Sequence, residues 1–211
     1  PGSPVFKLAR ARTRARLAAL EMDVEAQLSD PTCSEKTPKS ARGNRTGTIC
    51  FALPQLVNGK CVWPEHWGIS RRQIEQLLLQ LRREPDWRPE NSVYTLVSDF
   101  VIPWTQGKGV SYALLLNGDE PKEVNLMVSH AWGENAEEFL EALLRSTTDE
   151  DVLFVCALSL YQAEDGVGPS IAEQVGVKLS ESPFRRVLKH IERRGKEAGW
   201  RWRWRNWLPP R

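Results

Sequence analysis

The stretch that decides the fold runs from residue 124 to residue 160. It opens with Val124-Asn125-Leu126-Met127-Val128-Ser129, passes through His130-Ala131-Trp132-Gly133-Glu134-Asn135, and closes on Val152-Leu153-Phe154-Val155-Cys156-Ala157-Leu158-Ser159-Leu160. The first six residues are a short apolar strand candidate. Asn135 is a residue type that caps helices through its side-chain oxygen, and Glu137 and Glu138 fall in the following turn, where negative charge suits the helix dipole. Phe139, Leu140, Leu143 and Leu144 supply the apolar side of that helix, and Asp149–Asp151 turns the chain. The closing run is almost continuously apolar, the pattern of a strand covered on both faces in a parallel sheet. Strand, helix, strand in this order predicts a βαβ unit with a right-handed crossover. The fold class expected is α/β, built on a small, partial parallel sheet with an N-terminal helical extension.

Working outward, Asn58-Gly59 tolerates the positive φ angles of a type I′ turn and predicts a hairpin between residues 48–53 and 60–63. Ser70 and Gln73 fit a capping box, with Ile74, Leu77, Leu78 and Leu81 on one face of the helix that follows and Pro85 beyond its end. A second helix is expected over 91–102, with Val93, Leu96, Val97, Phe100 and Val101 as its stripe and Pro103 as its stop. Tyr112–Leu116 fits either strand or helix. Ser170 and Glu173 form a second capping box, and Ser182-Pro183 starts a further helix. On that last helix Phe184, Val187, Leu188 and Ile191 face inward, and Arg185, Arg186, Lys189, Arg193 and Arg194 face outward.

The formal charge of +2 over 211 residues hides an uneven distribution. Residues 1–45 carry 9 basic and 5 acidic side chains, residues 46–182 carry 10 and 20, and residues 183–211 carry 10 and 2. An acidic body therefore lies between basic ends. The organisation expected is a basic helix over 1–28, a Pro/Gly/Ser linker over 29–47, a hairpin and helical part over 48–123, the α/β core over 124–190 and a basic tail over 191–211. Starting at Pro1, with no apolar stretch long enough for a signal or a membrane span, the sequence reads as cytoplasmic and as a fragment or processed product.

Chemistry-bearing residues are few. Ser129, His130, Trp132 and Glu134 lie just past the first βαβ strand, at the carboxyl edge where open α/β sheets bind ligands. They are the candidate ligand-binding residues: Ser, His and Glu together can bind a polar ligand or move a proton, while the alternative is that His130 only holds its loop. Cys156 is expected inside an apolar strand as a small buried hydrophobe rather than a nucleophile. Cys33, Cys50, Cys61 and His66 lack zinc-site spacing, so no metal is expected. Gly-rich phosphate loops, nucleophile elbows and His-Glu-x-x-His are absent from the sequence, and no cofactor is expected. At the C-terminus, Trp200, Trp202 and Trp204 alternate with Arg201, Arg203 and Arg205, and Trp207 follows. In an extended chain this puts indoles on one face and guanidinium groups on the other. Such a tail suits an anionic lipid interface or single-stranded nucleic acid, with salt-dependent affinity. An edge strand covering the core fits it as well.

The run Leu126–Glu134, followed by Phe139 and Leu143, resembles the opening of a TIR-like domain: a hydrophobic strand ending in Ser-His, an acid, then an apolar helix. Over about 120 residues the chain is also similar to a large family of protist proteins abundant in algal-type genomes. That similarity rests on Val110-Ser111-Tyr112, Met127–Trp132, Val155-Cys156-Ala157-Leu158, Tyr161-Gln162 and Ile171-Ala172-Glu173-Gln174. The resemblance implies a TIR-like/flavodoxin-like sheet. Family members would continue past Lys189 into another strand and a Trp-Cys-x-x-Glu-type helix, whose glutamate supports NAD cleavage in TIR-like enzymes. This sequence has Arg193-Arg194-Gly195 and the Trp/Arg tail instead. The resemblance therefore implies a partial, non-catalytic interaction or signalling domain whose open sheet edge meets a protein partner or a second copy. The other two readings are binding through the tail, and a nucleotide- or NAD-processing enzyme using His130 and Glu134.

Overall fold

The computed structural model describes residues 52–197. The helix expected over 1–28, the linker over 29–47 and the tail candidates from Trp200 to Trp207 lie outside the described residues.

The described chain opens with the hairpin of β1 (Gln55–Val57) and β2 (Lys60–Val62), in which Gln55 faces Val62. Asn58 and Gly59 take φ angles of 49° and 75°, as a type I′ turn requires. The strand that pairs with 60–62 is 55–57 instead of the expected 48–53, because a two-residue turn pairs the residues directly flanking it. β3 (Ile69–Ser70) leads into α1 (Arg71–Leu81), and the capping box of Ser70 and Gln73 is formed. α2 (Val93–Leu96) continues through a π turn (Val97–Val101) into α3 (Ile102–Thr105). Pro103 therefore does not end this helix. It sits in the first turn of α3, just after the widened π turn, which relieves the ring and the missing N–H that would break a regular helix. The ambiguous run at Tyr112 is helical, as α4 (Tyr112–Asn117), with the Ser111 side chain accepting from the Leu114 N–H.

The βαβ unit is present as β4 (Leu126–Val128), α5 (Ala136–Ser146) and β5 (Val152–Val155), and Asn135 caps α5 by accepting from the Glu138 N–H at 2.8 Å. β5 stops at Val155, and Cys156 opens a separate short helix, α6 (Cys156–Ser159). The Ser159 hydroxyl oxygen folds back to accept the Val155 N–H at 3.1 Å, which ends the strand. α7 (Ile171–Val175), with its Ser170–Glu173 capping box, and α8 (Pro183–Glu197) complete the described chain.

The described residues thus form a mixed α/β fold with two small sheets. The three-stranded sheet has the order β3–β5–β4. β4 runs parallel to β5, with Leu126 opposite Leu153 and Val128 opposite Val155, and β3 pairs antiparallel on the other side. Leu153, Phe154 and Val155 are completely buried. Leu153 and Val155 enter a core made with α1, the α2–α3 helix and α5, while Phe154 enters a second core with Trp67, Leu114 and Val187. Position 68 is glycine because a Cβ there would run into the Lys122 carbonyl and the Val152 side chain. Arg82 fastens α1 to α5 by donating to Glu137 and Glu141 at 2.8 and 2.6 Å. On α8, Val187 is buried and Arg185, Lys189, Arg193 and Arg194 are exposed, as the periodicity predicts. Arg186 instead turns back to Glu65 at 2.9 Å and lies 4.3 Å from the centre of the Trp63 ring.

Two glutamines, each with no solvent exposure, knit the hairpin to the rest. Gln55 accepts the Ser111 N–H at 2.6 Å and donates to Ser159 O and to the Gln174 side chain. Gln174 accepts the Tyr161 N–H at 2.9 Å and donates to Tyr161 O. Buried polar networks stabilise only when satisfied. Gln174→Met keeps the volume, strands the Tyr161 N–H and leaves the Gln55 amide nitrogen with Ser159 O alone. It is expected to lower stability by about 3 kcal/mol, read as the shift in a urea unfolding curve. An unchanged midpoint contradicts this role.

Candidate functional site

The parallel register brings the carboxyl ends of β4 and β5 to one edge, since Val128 and Val155 are partners. Two residues past Val128 stands His130, and the residue after Val155 is Cys156. The loop carrying His130 is held by backbone pairing with the first turn of α2 and the residues just before it. Val93 N–H donates to Glu134 O at 3.0 Å, Tyr94 N–H to Trp132 O at 3.0 Å, and Ala136 N–H to Asn91 O at 2.8 Å. The Asn135 side chain also donates to Pro89 O at 2.7 Å. This clamp was not visible in the sequence, because it joins segments about 40 residues apart through backbone atoms.

Within this frame His130 and Cys156 meet. His130 Nε2 lies 3.1 Å from Cys156 Sγ, and the His130 side chain is only 1% exposed. Its ring packs against Trp132 and Phe139, with centroids 5.5 and 5.1 Å away. The other ring nitrogen, Nδ1, lies 3.7 Å from Glu134 Oε1, an ion-pair distance longer than a hydrogen bond. Burial pushes the Glu134 carboxyl above its usual range, and the Ala131 N–H that it accepts at 3.0 Å pulls the other way. Cys156 is partly exposed. The order thiol, imidazole, carboxylate is the arrangement in which a base takes the nucleophile's proton and an acid orients the base.

Of the candidates, His130 and Glu134 come together. Trp132 is half-buried, stacks on Tyr94 at 5.5 Å and walls the imidazole. Ser129 is exposed and lies outside this cluster of contacts among the described residues. Cys156 is the residue sequence reasoning misplaced. Read as the middle of a long strand it would be an inert hydrophobe, but the strand ends one residue earlier and sets the thiol at the edge. Gln162 also belongs here. Its Nε2 donates to the Cys156 carbonyl at 3.1 Å, and it is 3% exposed. Among the described residues no group of three or more His, Cys, Asp or Glu side chains could hold a metal ion, and no helix is long and apolar enough to cross a membrane. Contacts between separate stretches gather around α6: Ser111 on Gln55, His130 on Cys156, Gln162 on the Cys156 carbonyl, and Gln174 on Tyr161.

No family model, no curated protein and no solved structure matches this chain.

Proposed function

We propose that the chain is an α/β module whose carboxyl sheet edge carries a cysteine-centred activity, with Cys156 as nucleophile, His130 as its base and Glu134 as the group that orients the imidazole. The observation that carries this reading is the 3.1 Å approach of His130 Nε2 to Cys156 Sγ on a ring held almost wholly out of solvent. The step is a substitution at an electrophilic carbon. Cys156 gives its proton to His130 Nε2, the sulfur forms the S–C bond, and the bond to the leaving group breaks. The leaving group departs with the bonding pair and takes the proton from His130. The nearby Glu134 carboxylate favours the protonated ring that this step creates. This reading keeps His130 and Glu134 from the sequence analysis and adds the thiol they lacked.

The exposed Cys61 of the same chain is an internal reference. At neutral pH, Cys156 is expected to react with iodoacetamide about tenfold faster than Cys61 despite its lower exposure, read by peptide mass spectrometry. Glu134→Gln should reduce that advantage, and His130→Asn should remove it. A Cys156 slower than Cys61 in the unaltered chain contradicts the reading.

A TIR-like interaction role has its own supporting observation. β4 is an edge strand, and among the described residues nothing pairs with its outer side. Asn125 N–H donates to Val152 O, so alternation turns the backbone groups of Leu126 and Val128 outward. Leu126 is 36% exposed there. A partner strand adding to this edge would be recognised by its main chain. Light scattering across a concentration series is expected to show self-association that Leu126→Lys weakens; a monomer at every concentration that captures no partner contradicts the role.

A further inference from the structure

Beside the Cys156–His130 pair, the Gln162 side chain uses only one end of its carboxamide. Its carboxamide nitrogen is committed to the Cys156 carbonyl at 3.1 Å, whereas its oxygen, Oε1, is fully buried and has no hydrogen-bond partner among the described residues. Turning the amide over would set oxygen against the carbonyl oxygen of Cys156, so the donor contact fixes which end is which. Leaving such an oxygen unsatisfied forfeits its hydration without return. A buried polar group of this kind calls for an explanation, and at the edge of a reactive site a ligand is one. Gln162 follows Tyr161, whose backbone N–H and carbonyl are both bound by Gln174, so the carboxamide stands on a rigid support.

Building on the cysteine-centred reading, we infer that Gln162 is the recognition group of this site and that the substrate is an amide: its N–H donates to Gln162 Oε1 beside the carbon that Cys156 attacks. An acceptor without a hydrogen, such as an ester or a carboxylate, would leave Oε1 unpaired and be rejected, the larger penalty in hydrogen-bonded recognition.

Two small reagents of nearly equal size test this. N-methylchloroacetamide carries an N–H next to its carbonyl; methyl chloroacetate has an ester oxygen there. In both, the Cys156 sulfur forms a bond to the CH2 carbon, the C–Cl bond breaks, chloride leaves with the bonding pair, and the thiol proton passes to His130. Alkylation rates of Cys156, each divided by that of Cys61 in the same chain, cancel the reagents' intrinsic reactivity. The normalised rate for the amide is expected to exceed that for the ester by about tenfold in the unaltered chain. In Gln162→Met, which keeps the volume and removes both amide ends, the two normalised rates should become equal. Equal rates in the unaltered chain overturn the inference and leave Gln162 as a structural residue only; because this comparison needs no variant, it stands even if Gln162→Met fails to fold. A preference for the amide that survives in Gln162→Met overturns it as well. A Cys156 less reactive than Cys61 toward both reagents defeats the underlying cysteine reading, whereas a reactive Cys156 indifferent to the N–H defeats only the assignment of Gln162.

Discussion

Leu153, Phe154 and Val155 enter opposite cores in alternation, and all three are wholly removed from solvent. Because successive side chains of a strand point to opposite faces, a strand buried this way must be covered on both sides. α1, the α2–α3 helix and α5 cover one side, and Trp67, Leu114 and Val187 of α8 lie on the other. The lateral neighbours are fixed by the same strand, with β4 parallel on one flank and β3 antiparallel on the other. Shifting β5 by one residue would exchange the two cores, so its register is held by burial on both faces at once.

That register is also what makes a site. Residues about 25 apart in the chain, His130 and Cys156, become neighbours because Val128 and Val155 are partners and both strands end together. The abrupt end of β5 is part of the arrangement. With Val155 N–H given to the Ser159 hydroxyl, the next residue leaves the sheet and carries its sulfur toward the imidazole. The His130 loop is in turn clamped by backbone bonds to the first turn of α2 and the residues just before it. The frame thus sets a thiol, a buried imidazole and a carboxylate side by side, and on the proposed reading such prior positioning is what contributes most to a reaction.

Much of the fold was legible because its signals are local. Capping at Ser70, Asn135 and Ser170, the Asn58-Gly59 turn and the apolar spacing of α1 and α5 depend on residues three or four apart. What was not legible depends on distant partners. The run from Val152 to Leu160 has no glycine or proline to mark its break, and the break is made by a side-chain hydroxyl acting on backbone. Pro103 signals a stop in isolation, yet the π turn before it carries the helix through to Thr105. β3 is two residues long and is a strand only because β5 lies beside it. His130 and Glu134 were visible as candidates from their place after a strand. Cys156 and Gln162 were not, because their role arises from the end of β5 and from packing about α6.

The central claim is that His130 and Cys156 act on each other. The nitrogen-15 resonance of His130 Nε2, measured at one fixed pH in the unaltered chain and in Cys156→Ala, tests it most directly, with His66 and His190 as controls in the same spectrum. The account predicts that the His130 Nε2 resonance moves when the sulfur is removed while those of His66 and His190 hold still. A His130 resonance that stays in place would contradict it.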